Sequence, residues 1–497
     1  MSEKNLMIRA ACMGIFATLI CVSLISAAVK VDTFALREAV TVDGIRAHQQ
    51  AFQDIADADG GTRASGTPGY DESVSYVAGQ LEGAGYEVSL QPFTYDLWEE
   101  LSLPVLEQVS PIPTTYPPND RAGFATMLYS GAGDVTAEVA LADNYGCEPS
   151  DFDVADFTGN IALIERGVCE FWVKAQNAEN AGAVGAIIFN DEARQDAFLG
   201  TLRGPFVAIP VVGSSWNVGQ ELAASDPTTV HMVVDSQMRE ISTSNVIAET
   251  PGGRDDRVVV VGAHLDSVPR GPGIQDNGSG SAAILEIALQ MAELDIEPRN
   301  KVRFTWWGAK ESGLIGSQYY VDSLSKRELK NIALYLNFDM IGSPNFVRFI
   351  YDGDGSDTPP AGPNGSNTIE KVFLDYFAEQ GLATEPTAFD GRSDYAPFIA
   401  AGIPAGGLFT GADGIKTEEE AAIYGGTAGE QYDPCYHLAC DTFDNISEEA
   451  LDQMSDAAAH AVLTFAETTS SVNGTAKGKG LGKWKNSMEF RGSHVVK

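Results

Sequence analysis

The run "RVVVVGAHLDS" at residues 257–267 decides the fold. Four valines lead without a polar break into His264 and Asp266. So continuous an apolar run is expected of a strand covered on both faces, as the strands of parallel sheets are. Outward from it, "KVRFTWWGA" runs on to Glu311 and "NIALYLNFDMIGS" carries Asp339 near its end. Between these strands lie helical stretches such as "SGSAAILEIALQMAEL". The alternation predicts an α/β fold: a doubly wound, mostly parallel central sheet flanked by helices. Such sheets bind ligands beyond the carboxyl ends of their strands, so His264, Glu311 and Asp339 are expected at one edge. Imidazole and carboxylates converging there read as a metal-type cluster.

The rest of the chain divides around this zone. Lys4 and Arg9 precede the apolar run "AACMGIFATLICVSLISAA", which ends in the small residues of a cleavage site. Residues 1–28 are therefore expected to be an export signal, or an N-terminal anchor if left uncleaved. A first segment of the main domain follows at 33–105, with helical "DESVSYVAGQLEGAG" and strand-like "YEVSLQPFTY". The Pro-rich "LPVLEQVSPIPTTYPP" breaks the pattern and opens an inserted domain expected at 110–235. The main domain resumes at 240–470, and the Gly/Lys-rich 471–497 lacks a core pattern and is expected to be a mobile basic tail.

Composition narrows the function. A chain of 497 residues that is 44% hydrophobic can bury a sizeable core. The net charge of −37 argues against nucleic acid or an anionic membrane as partner. Beyond the leader, Cys147, Cys169, Cys435 and Cys440 form an even set suited to an oxidising, extracellular or periplasmic compartment. Three pairings exist; the simplest joins neighbours, Cys147 to Cys169 and Cys435 to Cys440. No CxxC spacing supports a cysteine-based zinc site. Of six histidines, His264 in "AHLDS" and His437 in "DPCYHLACDT" have an Asp or Cys framework beside them.

Five segments, "VVGAHLDSVPRGPGIQDNGSGSAAILE", "WWGAKESGLIGSQYYV", "LNFDMIGS", "FDGRSDYAPFIAAGIPAGGLFTGA" and "YDPCYHLACDT", occur in one order. In that order they resemble the secreted two-zinc aminopeptidases of the aminopeptidase Y and leucyl aminopeptidase kind. "RASGTPGY" at 63–70 extends the resemblance to the first segment, and the insert is similar to the smaller, β-rich protease-associated (PA) domain. The resemblance implies a zinc-dependent exopeptidase fold. It implies an exported enzyme that hydrolyses N-terminal, apolar residues from peptides with a hydroxide activated by two Zn2+. Asp276 would bridge the ions, His264 and Asp339 completing one set and Glu311 and His437 the other. Asp266 is placed to accept the second imidazole N–H of His264. Tyr436 would face the oxyanion, and Arg392 of "GRSDY" would hold the amino end or backbone of the peptide.

One position departs from the pattern. The residue before the Glu311 ligand is normally a second glutamate, the general base; here it is Lys310. An ammonium can neither accept that proton nor attract a cationic N-terminus. Lys310 is expected either to oppose loading of the second metal or, with its pKa lowered by burial and the metals, to act as a catalytic base itself. The first outcome leads to an alternative, a catalytically impaired binding or receptor-like homologue. A further alternative is carboxypeptidase or glutaminyl cyclase activity on the same fold.

Overall fold

The computed structural model describes residues 31–202, 207–224, 227–473 and 495–496. The expected export signal lies outside these residues, as does the tail from 474 to 494. Just before it, Ser470–Asn473 forms a short helix, and Val495–Val496 pairs in parallel with Leu199–Gly200.

The main sheet has eight strands: β1 (Glu87–Glu100), β2 (Ser236–Glu249), β3 (Arg254–His264), β4 (Asn300–Trp307), β5 (Ile332–Phe338), β6 (Phe349–Tyr351), β7 (Glu385–Thr387) and β8 (Ala405–Phe409). They run in the order β1-β2-β4-β3-β5-β8-β6-β7. The central four, β4-β3-β5-β8, are parallel, while β1, β2 and the β6–β8 pairing are antiparallel. The valines of β3 and every residue of β5 are buried, which is why those runs contain no polar alternation. Helices cover both faces. Gly278–Glu293, Glu448–Glu467, Val42–Ala58 and Ser366–Gln380 contribute to the core on one side, and Ile315–Ser323 and Tyr395–Ala400 to the core on the other.

A second eight-stranded sheet is built wholly from residues 105–234 and carries its own helices, Phe171–Asn180 and Trp216–Ala223. Its apolar side chains form separate cores on its two faces. The chain leaves the main domain along β1 and returns along β2, and these two strands pair antiparallel from Glu87 opposite Glu249 to Glu100 opposite Ser236. Trp98 Nε1 and Ser236 Oγ both donate to the Ser130 carbonyl, closing the base of the insert onto that ribbon. The disulfides are Cys147–Cys169 in the insert and Cys435–Cys440 in the main domain, the neighbour pairing.

Candidate metal centre

Three loops at the carboxyl edge of the parallel strands, with the loop bearing His437, assemble the cluster. His264 is the last residue of β3 and is fully buried. Asp339 follows β5 directly, and Asp276 immediately precedes Asn277, whose side chain caps the helix Gly278–Glu293. Asn277 Oδ1 accepts from Gly280 and Met340 while its amide donates to Phe338, locking that helix start against the end of β5. Glu311 lies in a turn between β4 and the helix Ile315–Ser323. His437 adopts a left-handed φ of 60° beside the Cys435–Cys440 bridge.

The five side chains meet. His264 Nε2 stands 3.2 Å from Asp276 Oδ1 and 3.1 Å from Asp339 Oδ1; His437 Nε2 stands 3.0 Å from Asp276 Oδ2 and 3.3 Å from Glu311 Oε1. They form two three-residue donor groups that share Asp276. Ligands about 2.0 Å from a zinc ion in a tetrahedron lie about 3.3 Å from one another, so the donors already have the spacing of zinc-ligand edges. Asp276 Oδ2 is buried with no well-aligned hydrogen bond, facing the His437 ring nitrogen at 3.0 Å as two donors to one ion would. The residues therefore fit a metal pair.

Backbone and side chains behind the donors fix their aim. Ser393 Oγ donates to Asp339 Oδ2 at 2.5 Å and itself accepts from Asn337, which accepts from Tyr335. Asp441 accepts the N–H groups of Gln275 and Asp276 at 2.8 and 3.0 Å. Burial and the nearby Asp433 charge push the Asp441 carboxyl up to about 7. Arg63 is fully buried and donates to the carbonyls of Leu265, Pro272 and Gly273, clamping the loop that joins His264 to Asp276. These three residues sit inside quoted motifs but carry no signal of their own, since each acts through backbone or a single hydroxyl.

Asp266 faces the second nitrogen of His264 with both its carbonyl and its carboxylate. His264 Nδ1 meets the Asp266 backbone carbonyl at 3.0 Å, while the nearest carboxylate oxygen is 3.6 Å away. That carboxylate also accepts from the N–H groups of Lys310 and Glu311, both at 3.1 Å, and so holds the metal-bearing turn against the end of β3.

Lys310 points into the cluster. Its Nζ lies 3.3 Å from Glu311 Oε1, 3.5 Å from Asp276 Oδ1 and 3.8 Å from Asp339 Oδ2. Burial by itself lowers its pKa, but Asp276, Asp339 and Glu311 outweigh burial and hold the ammonium well above the ordinary lysine range. Three carboxylates facing one cation thus keep the amine charged in the metal-free cluster. Burial opposes ionisation of those acids as well, yet the cations win. Lys310 and the two imidazoles hold Asp276 well below the usual range, His437 and Lys310 lower Glu311, and Lys310 and His264 lower Asp339. Burial lowers His437 too, but Glu311 and Asp276 raise it to about 9.

Tyr436 and Arg392 border the cluster. The Tyr436 ring is buried against Met340, Ala412 and Phe409, and burial followed by the Asp276 charge raises its phenol well above its ordinary value. Arg392 Nη2 donates to Asp413 at 2.9 Å and lies 3.5 Å from the Tyr436 hydroxyl. From the insert, the Tyr129 hydroxyl donates to the Ser312 carbonyl at 3.2 Å, one residue past Glu311.

Comparison with known proteins agrees with this geometry. Residues 245–462 match peptidase family M28 and residues 135–222 match the PA domain. The chain is 46% identical over 458 residues to an aminopeptidase of Pseudomonas aeruginosa, covering 89% of this chain and 84% of that one. It is 42% identical over 440 residues to leucine aminopeptidase 2 of Arthroderma otae, covering 87% and 86%. The solved structure of a zinc aminopeptidase from Bacillus subtilis superposes with a TM-score of 0.62 at 26% identity, over 86% of this chain and 96% of that one.

Proposed function

The chain belongs to peptidase family M28, and from that premise we propose that it is an exported zinc aminopeptidase releasing N-terminal residues, apolar ones by preference, from peptides. The observation that carries the reading is the pair of donor groups sharing Asp276 at zinc-ligand spacing. His264, Asp276 and Asp339 would hold one zinc ion and Asp276, Glu311 and His437 the other. When bound, such a pair polarises a scissile carbonyl and acidifies water.

The chain's own residues supply the rest. Tyr436, kept protonated by burial, donates its hydroxyl to the oxygen that gains charge as the peptide carbonyl is attacked. Arg392, braced by Asp413, holds the peptide beside Tyr436. Met340, Ala412 and Phe409 with the Tyr436 ring offer an apolar wall for the leading side chain. Addition of water to the carbonyl and cleavage of the C–N bond balance when one proton of that water passes to the departing amine, directly or through solvent in the cleft. As an ammonium among carboxylates, Lys310 would not take up that proton on the way and would repel the substrate's own ammonium, which slows turnover relative to a carboxylate at this position. The two disulfides and the acidic surface suit an exported protein.

The test is zinc-dependent release of leucine from leucyl-p-nitroanilide and leucyl peptides, abolished by chelation and absent on N-acetylated substrates. Release from N-acetylated peptides, or none under any zinc concentration, would overturn it. Lys310 favours a second reading, a peptide-binding homologue without turnover. Lys310→Glu separates the two. If the native chain lacks its base, the variant gains hydrolysis at least a hundredfold; unchanged or reduced turnover removes that reading.

A further inference from the structure

The Lys310 side chain is buried at the centre of three carboxylates that belong to both donor groups, with its Nζ nearest Glu311 and Asp276. With both imidazoles neutral, as zinc ligation requires, Asp276, Glu311 and Asp339 carry three negative charges and Lys310 one positive, so the donor set stands at −2. A single divalent ion cancels that charge; a second ion enters a neutral pocket that already contains a cation. Without the lysine the same acids stand at −3, and two ions are electrostatically easier to accept. An ammonium is compact and cannot be displaced into solvent without swinging a buried side chain out of the cleft.

We propose that Lys310 is a resident counter-cation of the metal centre: it holds the donor cluster together without metal and weakens zinc binding at both donor groups, which it touches through Glu311 Oε1, Asp276 Oδ1 and Asp339 Oδ2. The inference rests on the zinc-site reading above and deepens it by giving the first and second ions unequal affinity. The first ion neutralises the donor set; the second binds only at higher zinc, so occupancy follows the zinc supply of the compartment.

The experiment uses the full mature chain as the wild type, Lys310→Met and Lys310→Glu, stripped with chelator and titrated with zinc against a competing chelating dye. Elemental analysis after desalting gives stoichiometry, and thermal melting is followed with and without zinc. The wild type is expected to retain one zinc ion per chain and both variants two. The second dissociation constant is expected to fall at least tenfold in Lys310→Met and a hundredfold in Lys310→Glu. The stripped variants are expected to melt below the stripped wild type, and zinc to raise their melting temperature more. If Lys310→Met folds only when zinc is present, the loss of metal-free stability is the predicted result, and Lys310→Glu carries the affinity comparison. Two ions retained by the wild type with affinities within twofold of the variants would overturn the proposal, as would equal melting of the stripped proteins. None of these readouts uses turnover. An inactive chain would still give them, and an active chain that failed them would lose only the counter-cation.

Discussion

Arg63→Met tests how the two strand-distant ligands are held together. The guanidinium is fully buried, sits over the Phe52 ring at 4.8 Å, and donates at 2.6, 2.9 and 2.7 Å to Leu265, Pro272 and Gly273. Methionine keeps most of the stem packing and removes all three donors. Hydrogen bonds with one charged partner contribute about 1.5 to 3 kcal/mol each, and three on one rigid group do not add fully, so the variant should lose about 4 to 6 kcal/mol. The orphaned carbonyls lie in the segment between His264 and Asp276, so zinc affinity should fall with stability. Guanidinium unfolding of the zinc-free and zinc-saturated proteins measures the first, and dye competition the second. Saturating zinc should restore part of the loss, about 4 kcal/mol at a thousandfold excess over its dissociation constant. Arg63→Lys, with one small donor group in place of a fork, should recover less than half. A loss under about 1 kcal/mol with unchanged zinc affinity would refute the clamp, since the Leu265 and Pro272 carbonyls cannot lose a charged donor so cheaply, even with Gly273 still paired to the Gly278 N–H.

Ser393→Ala removes the 2.5 Å bond to Asp339 and should weaken zinc binding by about 10- to 100-fold, read by dye competition, with little change in the fold. Tyr436→Phe should lower kcat by about 100- to 1000-fold on leucyl substrates while KM changes little; equal losses in both would place the hydroxyl in ground-state binding instead. The zinc-free His437 sits at about 9, above its unfolded value near 6.5, so its favourable ion pairing is complete below pH 6.5 and is lost as pH rises through 9. Zinc must displace that proton, so apparent zinc affinity should climb between pH 6.5 and 9 and flatten above; calorimetry in buffers of different ionisation enthalpy should register proton release in that window. A pH-independent affinity would contradict the assignment of His437 as a ligand.

The strand ends were legible because a strand buried on both faces leaves an unbroken apolar run. Val258 to Val261 and Ile332 to Phe338 announce both the sheet and the direction in which His264 and Asp339 must emerge. Asp276 and His437 sit in loops without periodicity, and only resemblance to a family singled them out. Arg63, Ser393 and Asp441 stayed hidden for a different reason: their partners are backbone groups or a lone hydroxyl contact 54 to 210 residues away, and no spacing rule encodes such contacts. The same limit explains the Asp266 reading. Two residues of separation suggested the side-chain contact with His264, which is present at 3.6 Å, but not that the backbone carbonyl would come closer or that the carboxylate would also hold the amides of the next loop.

The Tyr129 hydroxyl, reaching from the inserted domain to the Ser312 carbonyl, makes the insert more than a detachable cassette. Most of the insert's outer surface can drift or be redecorated without touching the hydrolytic machinery. At this one joint, however, a recombination event that exchanged PA domains between relatives would also reset the turn carrying Lys310 and Glu311, so the two domains are bound to a shared history there.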